Sequence, residues 1–169
     1  MSETDFAQYI TGFLSRYLPG QRNLSKNTIS SYRDAFKLFL VYCESEQNLK
    51  IKKITIAGIT PDLVVRYLAW LERVRKCGIA TRNQRLAAFK SFFHYVAGVD
   101  PTHLLLCQQI LGIPMTKSPR PTMSFFSPEG LHRLLRQPNI TTKNGRRDHA
   151  MLVLLYDTAA RVQEIIDLS

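Results

Sequence analysis

Residues 81–96 read Thr81-Arg82-Asn83-Gln84-Arg85-Leu86-Ala87-Ala88-Phe89-Lys90-Ser91-Phe92-Phe93-His94-Tyr95-Val96. At about 100° per residue, Leu86, Phe89, Phe93 and Val96 share one sector of a helical wheel. Asn83, Ala87, Lys90, Ser91 and His94 occupy the opposite sector, with Gln84 at its edge, and Arg82 and Arg85 flank the apolar stripe. Thr81 followed by Gln84 has the form of a capping box, which sets the helix start at Thr81. The period is helical, not the alternation of a strand. The back of this helix is polar and cationic, and Ala87 and Ser91 keep it slim. A helix that enters a major groove needs that profile of low relief with amide and cationic donors.

The same period extends through the N-terminal half. Phe6, Tyr9, Ile10, Phe13, Leu14 and Tyr17 mark a first helix over 4–18 that Pro19-Gly20 ends. Ser25 is placed to cap a second helix over 26–46, whose stripe is Ile29, Tyr32, Phe36, Phe39, Leu40 and Cys43. A short β-prone piece follows at Ile51–Ile56. Thr60-Pro61-Asp62 signals a third helix by a cap, a proline at the first helical position and an acid at the positive end of the dipole. Leu63, Val64, Tyr67, Leu68 and Leu71 form its core face, and Gly78 stops it. A short helix is expected over 102–111.

Charge narrows the class. The 169 residues hold 23 Lys and Arg against 13 Asp and Glu, a net charge of +10. Arg73 through Val99 contains six basic residues and no acid. A one-signed surface of this kind concentrates polyanions, so nucleic acid is the expected partner. With 45% hydrophobic residues the usage is that of a globular chain. The longest apolar run, Ala150–Tyr156, is too short to span a bilayer, and the acidic start is unlike a secretory signal. Cys43, Cys77 and Cys107 are odd in number and far apart, which fits a cytoplasmic location. Neither they nor the four histidines show metal-ligand spacing, so no metal or cofactor is expected.

Residues 113–126 contain Pro114, Pro119 and Pro121 and read as a linker after a first domain over 1–112. Ser127-Pro128-Glu129 opens a new helix, Pro138 to Gly145 reads as a turn-rich loop, and a helix over 146–158 carries the apolar run, expected to be buried in a larger domain. The 43 residues from Ser127 to Ser169 are few for an independent core, so this part reads as incomplete.

Arg147-Asp148-His149-Ala150, the apolar run, Tyr156-Asp157-Thr158-Ala159-Ala160-Arg161, Glu164 and the apolar residues ending at Leu168 resemble the first catalytic box of the tyrosine recombinases, the phage-integrase family. That box runs R-D-x-A, apolar residues, Y-x-T-G-x-R, two residues and E. Asn27-Thr28-Ile29-Ser30-Ser31-Tyr32 and residues 82–93 resemble the second and fourth helices of the family's core-binding domain. The resemblance implies a mainly α chain. A four-helix SAM-like bundle would be followed, over 127–169, by the first helices of an incomplete mixed α/β catalytic domain. It implies DNA integration and recombination by strand cleavage and rejoining through a phosphotyrosine, without metal. Arg161 matches the first catalytic arginine, which grips the scissile phosphate, and Glu164 matches its orienting partner. In metal-free phosphoryl transfer, guanidinium groups must supply the charge stabilisation. The usual Gly between Thr and Arg is replaced in Thr158-Ala159-Ala160-Arg161. The family's remaining catalytic residues, the nucleophilic tyrosine among them, fall beyond Ser169, so this chain alone is expected to bind double-stranded DNA and not to recombine it.

The DNA-binding candidates are Lys26, Asn27, Thr28, Ser31 and Arg33 on the second helix and Arg82, Asn83, Arg85 and Lys90 on the fourth. Thr28, Ser31 and Asn83 are placed for bases or phosphates, and the cations for phosphates. A homo-oligomer on DNA accords with the family, and no membrane partner is expected. Two other readings remain open: a stand-alone helical DNA-binding regulator without catalytic activity, and a helical interaction module with an incidental charge excess.

Overall fold

The computed structural model describes residues 4–117 and 125–167. The chain divides into two compact units, residues 1–119 and 120–169. Among the described residues every regular element is helical.

The first unit begins with α1 (Asp5–Gly12), capped by Thr4, which continues as wide π-type turns over Phe13–Gln21. Pro19-Gly20 therefore does not end the helix. Proline lacks an N–H for the α-helical ladder, and here the wider turns carry the chain past it until Arg22 N–H reaches the Tyr17 carbonyl at 3.0 Å. Gly12 is needed for close approach, because a Cβ there would lie 2.8 Å from Tyr95 Oη.

Helix α2 (Lys26–Gln47) starts at the expected cap, with Ser25 Oγ accepting from Thr28 N–H at 3.3 Å. Residues 51–56 form no strand: Ile51–Lys53 is a 3-10 turn, and Ile54 and Ile56 are buried. Their alternation reflects inward packing of a connection, not sheet pairing. Helix α3 (Pro61–Arg73) has the expected cap, Thr60 Oγ1 accepting from Leu63 N–H at 3.2 Å.

This helix stops at Arg73, short of Gly78. Lys76 takes the left-handed conformation (φ 54°), and Cys77 N–H bonds back to the Leu71 carbonyl at 2.9 Å, a termination more often built on glycine. Gly78 instead precedes α4 (Ile79–Val99) as its cap residue. The expected capping box at Thr81 is not formed, because Thr81 already lies inside the helix. A 3-10 turn (Pro101–His103) leads into α5 (Leu104–Leu111), which packs along α4.

The core is aromatic. Phe13, Phe39, Phe89, Phe92 and Phe93 are fully buried, and Phe92 lies 5.1–5.9 Å, centroid to centroid, from Phe6, Phe13, Phe36 and Phe93. Cys43 is buried as its stripe predicts, and burial pushes its thiol up to about 11. Ile113, inside the expected linker, is buried as well, and Thr116 bonds to Asn83, so the first residues of that stretch pack on this unit. The linker residues 118–124, with Pro119 and Pro121, lie outside the described residues, as do Met1–Glu3, Leu168 and Ser169.

The second unit holds α6 (Pro128–Leu135), α7 (Lys143–Thr158) and α8 (Val162–Ile166). Ser127 caps α6 as expected. Helix α7 starts three residues earlier than its apolar run suggests, because Thr142 Oγ1 caps it through Gly145 N–H at 3.0 Å. Gly145 lies so close to the Asn139 carbonyl that a Cβ has no room. His149 Nδ1 and the Leu135 carbonyl, 2.9 Å apart, join α7 to α6. Met151, Leu154 and Tyr156 of the apolar run are exposed within this unit. Three short helices offer too little apolar surface to cover them.

Candidate nucleic-acid interface

Helices α2 and α4 lie side by side and run in the same direction. Gln84 Nε2 donates to Ser31 Oγ at 2.9 Å, and Arg85 Nη1 donates to the Ser31 carbonyl at 3.1 Å. Further along, Phe36 and Phe89 rings meet at 4.9 Å. The two helices thus present their N-terminal ends together, where the backbone N–H groups carry partial positive charge. The α3–α4 connection, with exposed Arg73, Arg75 and Lys76, emerges at the same end. The wheel reading passed over these three cations, although the acid-free run from Arg73 contained them.

The sequence-selected residues fall into two groups. Lys26, Asn27 and Arg33 are exposed and Lys90 is half-buried. Among the described residues, the Lys26, Asn27 and Lys90 side chains make no hydrogen bond or ion pair, and Arg33 bonds only to Ser30 Oγ, at 3.1 Å. Lys26 and Arg33 also line a shallow groove with Leu14, Ser15, Ile29 and Ser30.

The others are engaged within the unit. Thr28 Oγ1 lies 3.0 Å from the capping Ser25 Oγ. Ser31 receives Gln84 and Arg85. Arg82 Nε lies 3.4 Å from Glu72 Oε1, and Arg82 Nη1 donates to Asn83 Oδ1 at 3.1 Å. Asn83 bonds to the backbone of Thr116.

In the second unit Arg161 is the cap residue of α8. Its backbone N–H donates to Glu164 Oε2 at 2.8 Å, and its Nη1 to Glu164 Oε1 at 3.2 Å. One carboxylate therefore fixes the helix start and orients the guanidinium. The Arg161 side chain is 86% exposed, leaving its other donors open for a bidentate contact with an oxyanion.

A family model described as the phage integrase N-terminal SAM-like domain matches residues 10–97, just over half of the chain. The chain belongs to the tyrosine recombinase family. It is 35% identical over 158 residues to an integrase/recombinase, y4rD, of Sinorhizobium fredii, covering 94% of this chain and 56% of that protein. A second such protein of that organism, y4rC, is 35% identical over 162 residues, covering 96% and 49%. The tyrosine recombinase XerD of Shewanella oneidensis is 34% identical over 154 residues, covering 88% and 46%. The chain spans about half the length of these curated relatives. No solved structure matches it. No helix among the described residues is long and apolar enough to cross a membrane.

The second unit also holds a strained residue. Ala159 stands where the tyrosine-recombinase box has glycine, and it adopts φ 51°, ψ 23°, the left-handed conformation, at the end of α7. Alanine here makes a bend that glycine favours. Ala159→Gly is expected to stabilise the end of α7 by about 0.5–1 kcal/mol. The readout is slower hydrogen exchange of the last α7 amides; unchanged exchange would show that the bend carries no strain.

Proposed function

We propose that the first unit binds duplex DNA through the shared end of α2 and α4, as the DNA-binding half of a site-specific recombinase that cuts and rejoins strands. The observation that supports this best is the pair of parallel helices whose N-terminal ends meet beside cations without ion-pair partners. Lys26, Arg33 and Lys90, with Arg73, Arg75 and Lys76, would hold phosphates and give affinity without sequence information. Asn27, Thr28 and Ser31 lie along the same end of α2 for contacts to bases or phosphates. Arg82 and Arg85 would act mainly by holding α4 against its neighbours.

In this reading the first unit is the core-binding domain and the second is part of the catalytic domain. Arg161 would grip the scissile phosphate and Glu164 would orient it. The capping geometry supports that pairing, since Glu164 already fixes the Arg161 backbone and guanidinium together. Assembly of several copies on one DNA site belongs to the same reading. So does a cytoplasmic location, with which three unpaired thiols agree.

A salt titration on random-sequence duplex tests the assignment. Lys90→Ala is expected to reduce the slope of log affinity against log salt by about one unit. An unchanged slope removes Lys90 from the phosphate contacts.

A further inference from the structure

Asn83 and Thr116, separated by 33 positions, are joined by two reciprocal hydrogen bonds. Asn83 Nδ2 donates to the Thr116 carbonyl at 2.7 Å, and Thr116 N–H donates to Asn83 Oδ1 at 3.1 Å. An amide that takes both backbone groups of one residue fixes where that residue sits and which way its peptide planes face. Behind this clasp, Arg82 Nη1 donates to the same Asn83 Oδ1, and Arg82 Nε faces Glu72 Oε1. The Arg82 side chain is only 13% exposed, so this support is partly shielded from water. A continuous polar chain thus runs from the end of α3, through the start of α4, to the segment that leaves the first unit.

The neighbours of Thr116 show what the clasp adds. Ile113 is buried, and its N–H bonds to the Ile110 carbonyl at 3.1 Å, so the core holds the chain up to that point. Pro114 and Met115 are exposed. Thr116 is then held again, by a side chain that sequence reading selects as a DNA contact.

We propose that Asn83 is a positioning residue: it holds Thr116 against α4 and so fixes the path of the chain at the end of the first unit's described residues. The amide is the side chain this role requires. Aspartate would keep the acceptor but lose the donor, and alanine would lose both. Without the clasp, the last anchored residue among the described residues of this unit is Ile113, three positions earlier, a difference of about 10 Å of extended chain. The inference concerns the chain's own geometry and stands whether or not α4 binds DNA.

Amide hydrogen exchange in the full chain tests it, comparing the parent with Asn83→Ala and Asn83→Asp. In the parent, Thr116 is expected to exchange about tenfold more slowly than Met115, the effect of one hydrogen bond. Asn83→Ala should abolish that difference and leave Ile113 and Phe89 unchanged. Asn83→Asp, which retains the acceptor for Thr116 N–H and for Arg82, should keep most of the protection. Three results would overturn the proposal: Thr116 exchanging like Met115 in the parent, Thr116 unaffected by Asn83→Ala, or equal acceleration at Thr116, Ile113 and Phe89. The last would make Asn83 a residue of general stability. If Asn83→Ala does not fold, the near-isosteric Asn83→Leu, which lacks both donor and acceptor, takes its place: loss of protection at Thr116 with Ile113 unchanged supports the clasp, and equal acceleration at both rejects it.

Discussion

Phe92→Ala is expected to lower the stability of the first unit by about 3–5 kcal/mol. The ring is fully buried and meets Phe6, Phe13 and Phe36 from α1, its π-type extension and α2, as well as Phe93 on its own helix. Removing it leaves a cavity walled by other rings, which are stiff and cannot flow into the space as methionine would. The transfer and cavity contributions therefore add. Phe92→Leu, which keeps more of the volume, should cost distinctly less. Trp70, the single tryptophan of the chain, reports the transition, because it lies in the first unit against Tyr42 and Tyr67. A loss below about 1 kcal/mol in a denaturant titration would mean that the helices close over the gap.

The second large effect is electrostatic. Lys26, Arg33, Arg73, Arg75, Lys76 and Lys90 form no ion pair among the described residues. If all six meet phosphates, log affinity falls with log salt at a slope of about −5, so raising salt from about 50 to 200 mM weakens binding roughly a thousandfold. The slope counts released counterions and therefore tests the whole surface, not one residue. A slope of one or two would mean that most of these cations remain solvated in the complex. No measurable affinity at low salt would leave the charge excess without a nucleic-acid partner.

The helix starts at Ser25, Thr60 and Ser127 were legible because a cap and the amide it satisfies lie three residues apart. The end of α3 was not, since Lys76 adopts a backbone conformation that glycine ordinarily takes and Gly78 has another task. The aromatic core was legible from its period only in part: Phe89 and Phe93 stood on the stripe of the fourth helix, whereas Phe92, at the centre of the ring cluster, did not. The partners of the polar residues on α4 were hidden for a different reason. Asn83 meets Thr116 and Arg85 meets Ser31, at separations of 33 and 54 residues, and no local pattern encodes such pairings. A wheel distinguishes an outward face from an inward one. It does not distinguish a polar side chain open to solvent from one that a neighbouring segment covers. In the second unit, the motif singled out Arg161 and Glu164, and the structure supplied their geometry as a helix cap.

The parallel placement of α2 and α4 has a kinetic consequence. Ser31 and Gln84 lie 53 positions apart and come together only when that stretch has closed into a loop, and α3 lies inside that loop. Joining the two helices therefore requires long-range pairing that neither helix alone can supply. A peptide copied from α4 would carry Arg82, Arg85 and Lys90 without α2 beside them. A nascent chain stalled before Ile79 carries Lys26, Arg33, Arg73, Arg75 and Lys76 but lacks the helix that α2 packs against.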